Sequence, residues 1–292
     1  MKVAIYGRNF DKGFNEYVEK FFKILEKNNL EIVIYNRFYD FLKKEINLSL
    51  DSFDLFGKYE DIKQGVDLLF SIGGDGTILD AVTFVRDSNI PIVGINTGKL
   101  GFLASIGKEE IESALRSILK GEYTIEERSL LKLTSSSNLF SDFPYSLNEI
   151  SVQKIDSAMI TVHVYIDGEF LNSYWADGLL ISTPTGSTAY SLSVGGPIII
   201  PQSGNFIISP ISPHNLTVRP IVLPDTSKLE LRLEHRSLNY IASLDHRSIM
   251  IKNTEQISIC KAAFTIRLIK LNETSFYKTL RNKLMWGVDK RN

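Results

Sequence analysis

Cysteine is nearly missing from this 292-residue chain: Cys260 stands alone, so no disulfide can form within one molecule and packing has to supply the stability. Cys260 falls in a strand-like run, 257–263, and reads as a buried, inert thiol. Long apolar runs are missing too. No stretch approaches the ~18–20 consecutive apolar residues of a membrane span, and residues 1–6 read as a strand rather than a signal peptide, which predicts a cytoplasmic protein. Nor is there an excess of either charge, with 33 Lys plus Arg against 34 Asp plus Glu and a net charge of -1. No strong field draws such a chain to nucleic acid or to an anionic membrane, so a phosphate ligand would have to be held by local groups. Histidine is scarce, and His163, His214, His235 and His246 are scattered without a second ligand at metal spacing, which argues against a structural zinc site.

What the sequence does contain is an apolar, strand-like run at 66–72 that passes straight into Gly73-Gly74-Asp75-Gly76-Thr77. Three glycines there permit a sharp turn and let an anion approach main-chain N–H groups with no Cβ in the way. From Thr77 onward Ile78, Leu79, Ala81, Val82 and Val85 recur at helical spacing, so a helix is expected to begin at Thr77 and point its N-terminus into the turn. A phosphate suits that position. A carboxylate beside a phosphate, here Asp75, makes chemical sense if it holds a metal ion or accepts a proton. A plain strand-to-helix turn with an aspartate cap accounts for one Asp and one Gly but not for three glycines. The spacing is neither the dinucleotide fingerprint nor the Walker A loop, which ends in Gly-Lys-Ser/Thr.

The first third of the chain alternates strand (2–6), helix (15–27), strand (31–35), strand (67–72), helix from 77, strand (92–95) and helix (109–119), a pattern that predicts a parallel, Rossmann-like α/β sheet. Ligands of open α/β sheets sit at the carboxyl ends of the strands, where both 73–77 and 96–101 fall. The polar segment 51–65 has no clear period and reads as a loop or short helix. From about Gly121 the texture changes to short β-rich runs, with Asp167-Gly168 as a two-residue hairpin signal between two of them. The expected domains are therefore an α/β domain over 1–121, a β-rich, sandwich-like domain over 122–272 and a C-terminal helix over 273–292. That helix carries Phe276, Leu280, Leu284 and Met285 at helical spacing through Trp286 and is expected to pack back on the α/β domain.

A second polar constellation follows Asp177-Gly178. The apolar run 179–181 leads into Ser182-Thr183-Pro184-Thr185-Gly186-Ser187-Thr188-Ala189-Tyr190-Ser191, seven hydroxyls in ten residues. A loop of that kind offers many small donors and acceptors to a sugar or phosphate, whereas a plain Ser/Thr linker would not carry Asp177 at one end and Tyr190 at the other. Asn148-Glu149, in a strand-like context, pairs an amide with a carboxylate and is able to read the hydroxyl pair of a ribose. On its own it reads equally well as a polar edge position.

Taken together, Gly73-Gly74-Asp75-Gly76-Thr77, Asn96 through Leu100-Gly101-Phe102, Asn148-Glu149, and Asp177-Gly178 followed by Thr183 through Tyr190 resemble the NAD kinase family, in order and spacing over nearly the whole chain. The first motif occurs with small changes in diacylglycerol and sphingosine kinases and in phosphofructokinases; the hydroxyl loop is far more specific. The resemblance implies an α/β domain, a β-rich domain and a cleft between them, in which ATP gives its γ-phosphoryl to the 2′-hydroxyl of the adenosine ribose of NAD. By that resemblance Asp75 is the catalytic base, and Gly73, Gly74, Gly76 and Thr77 support nucleotide phosphates. Asp75 and Gly76 also touch NAD, together with Phe102, Asn148, Glu149, Asp177, Thr188, Ala189, Tyr190 and Ser193. Mg²⁺ or another divalent cation is expected mainly through ATP phosphates, with no dedicated protein site, and the family implies a homodimer or homotetramer. The chain departs from the family pattern at Asp245-His246-Arg247, where Asp-Gly-Gln is common. His246 and Arg247 either reach a phosphate or face solvent, and neither is counted in the site.

Two other readings compete. A lipid kinase would share the glycine turn but needs an apolar acceptor cavity or a membrane-facing surface, and the sequence shows neither a basic amphipathic helix nor a polybasic run. A non-catalytic dinucleotide sensor would not require an acid at the turn.

Overall fold

The structure, a computed structural model, describes residues 1–46, 53–234, 238–271 and 275–285. His235, the Trp286 end of the expected C-terminal helix and the first two residues of the segment 51–65 lie outside the described residues. The chain divides into two compact units, Met1–Glu127 with Ile266–Asn292, and Arg128–Thr265.

The first unit contains β1 (Lys2–Gly7), α1 (Asn15–Lys27), β2 (Glu31–Tyr35), α2 (Asn36–Glu45), β3 (Asp54–Phe56), β4 (Leu68–Gly73), α3 (Asp75–Val85), β5 (Ile92–Asn96) and α4 (Ile111–Leu119). Strands β5, β4, β1, β2 and β3 lie side by side in that order, all parallel. β4 and β5 are buried along their whole length, as parallel strands covered by helices on both faces must be. α1 buries Val18, Phe21, Phe22 and Leu25, an i, i+3, i+4, i+7 stripe, into a core shared with Ile5, Ile34 and Phe70.

The expected α/β architecture is what forms, with three differences in detail. α2 was not foreseen; it buries Phe38 and Leu42, one turn apart. The segment read as loop or short helix contains β3, a three-residue edge strand parallel to β2, and a 3₁₀ turn at Tyr59–Asp61. α3 begins at Asp75 rather than at Thr77, with Gly74 as its N-cap residue. Asp75 therefore occupies the first helical position.

The remaining elements are β6 (Thr124–Ser135), β7 (Tyr145–Ser146), β8 (Glu149–Gln153), β9 (Ile160–Ile166), β10 (Glu169–Ala176), β11 (Gly178–Ser182), α5 (Tyr190–Ser193), β12 (Asn205–Ile211), β13 (Ile221–Pro224), β14 (Leu229–Leu233), β15 (Asn239–Leu244), β16 (Arg247–Lys252), β17 (Gln256–Lys270) and α6 (Phe276–Leu284). In the second unit an antiparallel sheet ordered β13-β12-β11-β8-β15-β16 packs against one that includes β10, β9 and β14. Leu179, Phe206 and Tyr240 from the first and Val162, Tyr174 and Leu231 from the second make a shared apolar core, the sandwich-like arrangement that alternating strands produce. The β9–β10 hairpin turns at Asp167 and Gly168, both at positive φ (51° and 88°), as the Asp-Gly signal requires. Cys260, on β17, is only half-buried rather than fully enclosed.

Candidate active site

Because β1, β4 and β5 run parallel, their carboxyl ends lie along one edge of the sheet, and β4 ends in the glycine turn there. The four glycines around Asp75 separate into two kinds. A Cβ on Gly73 would come within 2.1 Å of Thr77 Oγ1, and one on Gly101 within 1.8 Å of Asp75 Oδ1, so internal packing excludes a side chain at both. At Gly74 a Cβ would meet nothing within 4 Å, and at Gly76 only Arg8 Nη1 at 3.9 Å. Gly76 lies inside α3, where glycine costs about 1 kcal/mol relative to alanine. Among the described residues nothing demands glycine at these two positions. What remains is access for an outside molecule to the first N–H groups of α3, where the helix dipole favours an anion.

Asp75 is anchored with unusual completeness. Its Oδ2 accepts from the N–H of Phe102 at 2.8 Å, and its Oδ1 from the N–H groups of Leu103 at 3.0 Å and Ala104 at 2.9 Å. Buried Asn96 shapes the same loop, its Oδ1 accepting from Gly98 N at 2.7 Å. A carboxylate offers about four lone-pair sites, so these three bonds leave one acceptor position, on Oδ2. The side chain keeps 31 % of its surface exposed and is open to a proton-bearing hydroxyl. Thr77 is buried, with its hydroxyl against Gly73. Beside the turn, Arg8 at the end of β1 donates Nε to Asp80 Oδ2 at 2.6 Å, and Tyr6 donates to the same oxygen at 3.0 Å. Held by Nε, the guanidinium has its Nη edge near Gly76. Arg8, Asp80, Arg37 and Asn9 line a polar cavity of about 560 Å³ that sequence reasoning missed, since no motif marks it.

In the second unit Asn148 and Glu149 stand at the start of β8, and Asp245 organises them. The Asp245 carboxylate accepts from the N–H groups of Leu147 (3.0 Å), Asn148 (2.8 Å) and Glu149 (3.2 Å). Asp245 is the important residue of its tripeptide, a role the sequence did not suggest. Arg247 donates to the carbonyls of Phe143 (2.6 Å) and Tyr145, so its guanidinium secures the β7 segment rather than facing solvent. Burial raises the pKa of Glu149 to about 8, the nearby Asp245 charge adds to the shift, and a backbone N–H from Tyr190 opposes it. Burial raises Asp245 too, but its three N–H donors and the Arg247 charge favour the anion. Burial and the Asp245 charge thus hold the Glu149 carboxyl well above its ordinary range, and its Oε2 is buried with no hydrogen-bond partner among the described residues.

This arrangement has a measurable consequence. A carboxyl whose folded pKa lies above its ordinary 4.5 binds a proton more tightly when folded, so stability is fully present below pH 4.5 and is lost as pH rises toward about 8. Within that window the slope from this group is at most about 1.4 kcal/mol per pH unit. Glu149→Gln, neutral at every pH, is expected to flatten the dependence and to raise the melting midpoint at pH 8 to 9. Equal pH profiles for the two proteins would refute the assignment.

The hydroxyl loop differs from its expected role. Ser182, Thr183, Thr185, Ser187 and Ser191 are buried, and most of their hydroxyls serve the loop itself. Thr183 Oγ1 donates to Leu147 O at 2.6 Å and accepts from Gly186 N at 3.1 Å, while Ser187 Oγ donates to Pro184 O at 2.7 Å and accepts from Ile199 N at 3.0 Å. Buried hydroxyls must find partners, and here they fix the backbone. Thr188 and Ala189 are half-buried, and Tyr190 and Ser193 are exposed, so these four are the ones a ligand is able to meet. Asp177 is held by Lys154 Nζ at 2.6 Å. A Cβ on Gly186 would lie 2.2 Å from the Asn148 carbonyl oxygen, which is backbone and has no room to retreat. Gly186→Ala is therefore expected to destabilise the protein by about 3 kcal/mol, read as a denaturant midpoint shift; an unchanged midpoint would contradict the packing described.

A parallel α/β sheet that ends in an anion-accepting glycine turn, with a carboxylate held beside it, is the arrangement of a phosphotransferase with a nucleotide donor. Comparison with known proteins narrows the class. Residues 3–123 match the ATP-NAD kinase N-terminal domain and residues 147–271 the ATP-NAD kinase C-terminal domain. The chain is 48 % identical over 294 residues to an NAD kinase of Cytophaga hutchinsonii and 44 % identical over 295 residues to one of Flavobacterium psychrophilum, with 100 % of each chain covered in both cases. Among solved structures, an NAD kinase from Archaeoglobus fulgidus in complex with ATP superposes with a TM-score of 0.73 at 26 % identity, covering 98 % of this chain and 99 % of that one. Yeast NADH kinase complexed with NADH shares the fold, with a TM-score of 0.87 at 23 % identity over 99 % of this chain and 88 % of that one. The chain belongs to the NAD kinase family.

Proposed function

We propose that this chain transfers the γ-phosphoryl group of ATP to the 2′-hydroxyl of the adenosine ribose of NAD, forming NADP and ADP. The observation that carries the reading is the Asp75 carboxylate, fixed by three main-chain N–H groups and retaining one open acceptor position beside a turn built to receive phosphate. As the hydroxyl oxygen attacks phosphorus, its proton passes to Asp75 Oδ2, the new O–P bond forms and the bond from phosphorus to the β–γ bridging oxygen breaks, releasing ADP. Gly73, Gly74, Gly76 and Thr77 form the turn that accommodates donor phosphates, Gly73 and Thr77 by packing on each other and Gly74 and Gly76 by leaving their N–H groups accessible. Gly76, Phe102, Asn148, Glu149, Asp177, Thr188, Ala189, Tyr190 and Ser193 are assigned to NAD.

Among the described residues no group of three His, Cys, Asp or Glu side chains is placed to hold a metal ion. A divalent cation such as Mg²⁺ is assigned to ATP phosphate oxygens, without a dedicated protein site. When bound, the cation neutralises charge on the donor phosphates. A cytoplasmic location and assembly as a homodimer or homotetramer complete the proposal. The lipid-kinase reading loses its ground, because the match to NAD kinases runs through both units, including the β-rich one that would bind the acceptor. A coupled assay of NADP formation with Mg-ATP, GTP and polyphosphate as donors tests the proposal. NADP is expected with ATP; calorimetric NAD binding with no turnover would favour a sensor instead.

A further inference from the structure

The C-terminal helix brings a cation to Asp75. α6 starts at Ser275, whose Oγ accepts from Lys278 N at 3.2 Å, and it buries Leu280. Its Phe276 ring lies 6.2 Å from that of Phe102, and Lys283, two turns on, places Nζ 4.0 Å from Asp75 Oδ2 and 4.9 Å from the centre of the Phe102 ring. Both charged side chains remain 31 % exposed. An exposed pair at that distance contributes little to stability, about 0–1 kcal/mol, and it lies beyond hydrogen-bond range. Structural glue is therefore a poor explanation for an ammonium in this place.

Its position relative to the open acceptor site on Oδ2 is more informative. An attacking hydroxyl must sit about 2.6–3.2 Å from Oδ2 to give up its proton. The phosphorus it attacks must be about 3–3.5 Å farther along. The equatorial oxygens of that phosphoryl group then fall within the sweep of a four-carbon side chain whose ammonium already lies 4.0 Å from the same Oδ2. The other groups around the carboxylate are the N–H donors of Phe102, Leu103 and Ala104, which are committed to Asp75, and the positive end of α3 with Arg8 near Gly76, which face the turn assigned to donor phosphates. The Phe102 ring face holds the ammonium in place by a cation–π contact and leaves its three N–H donors able to turn toward an anion.

We infer that Lys283 is a catalytic residue that binds the γ-phosphoryl oxygens during transfer, moving from Asp75 onto the phosphoryl group as it arrives. The role rests on the phosphotransfer reading above. It neutralises charge where charge is carried in the transition state, while the open position on Oδ2 takes the proton.

The test compares wild type with Lys283→Met, Lys283→Arg and Lys283→Ala in the NADP assay, with circular dichroism to confirm folding. Lys283→Met is expected to lower kcat about a hundredfold with KM for NAD changed less than about threefold, the size of loss seen when one charge-stabilising donor is removed. Lys283→Arg should recover about a tenth of kcat or more, and added ethylammonium should restore turnover to Lys283→Ala in a saturable way. A merely structural lysine would show neither recovery. Lys283→Met retaining more than about a third of kcat, or a loss that neither arginine nor the amine restores, would overturn the role while wild type still makes NADP. A wild type that makes no NADP would overturn the phosphotransfer reading and this role with it.

Discussion

Asp75→Asn is expected to lower kcat for NADP formation by about a thousandfold, the middle of the range for loss of a general base. The change does more than remove a proton acceptor. The amide keeps one oxygen, which is able to go on accepting from Leu103 and Ala104, but it turns an NH₂ group on the Phe102 N–H that Oδ2 accepts from in the native protein. Two donors then face each other. Each hydrogen bond to a charged group contributes about 1.5–3 kcal/mol, so the loop 101–104 should open more often and exchange its amide protons at least about tenfold faster. Because Phe102 belongs to that loop and is assigned to NAD, KM for NAD should also rise severalfold. A variant with full turnover, or one with lost turnover and unchanged exchange at 102–104, would show that the carboxylate does not carry both tasks.

Gly101→Ala is the second large effect. The φ of Gly101 lies outside the region that L-residues avoid, so the backbone itself accepts alanine; the obstacle is the added Cβ, 1.8 Å from Asp75 Oδ1 and 2.5 Å from its Cγ. Either the carboxylate leaves its three N–H donors or the loop moves away. Overpacking of this kind costs about 1–3 kcal/mol, and displacement of the base should lower kcat by about a hundredfold or more. The contact also makes a sharper claim. In the double variant Asp75→Ala, Gly101→Ala the colliding atoms are gone, so its stability should exceed the sum of the two single changes by about 1 kcal/mol or more. Additive stabilities would mean that residues 75 and 101 are not in contact.

How far the sequence speaks for this molecule depends on the range over which each feature is decided. α1 is legible residue by residue because its buried face repeats with the helical period, and β2 because a short unbroken apolar run marks a parallel strand buried on both faces. The Asp167-Gly168 hairpin is legible because two adjacent residues set the turn. α2 escapes notice because only Phe38 and Leu42 mark its buried face and no side chain caps its start. The sequence points to a start of α3 two residues late because Gly76 reads as part of the turn, while the structure spends a helical position on it and leaves the N–H groups open.

At the site, residue identities were legible but their tasks were not. The hydroxyls of 182–187 advertise ligand binding, yet burial, which no local pattern reveals, commits most of them to the backbone. Asp245 serves N–H groups as far as 98 residues away, and Lys283 reaches Asp75 from the far end of the chain. Contacts of that range are fixed by the fold rather than by spacing along the sequence.

The most direct measurement follows both nucleotides in one reaction by phosphorus NMR: wild type and Asp75→Asn, each with Mg-ATP and NAD. The expected result is a 2′-phosphate monoester on NAD rising one for one with ADP in the wild type, and almost no signal of either product in the variant. ADP accumulating without the monoester, or the monoester forming equally fast with asparagine at position 75, would contradict the assignment of this carboxylate as the proton acceptor for NAD phosphorylation.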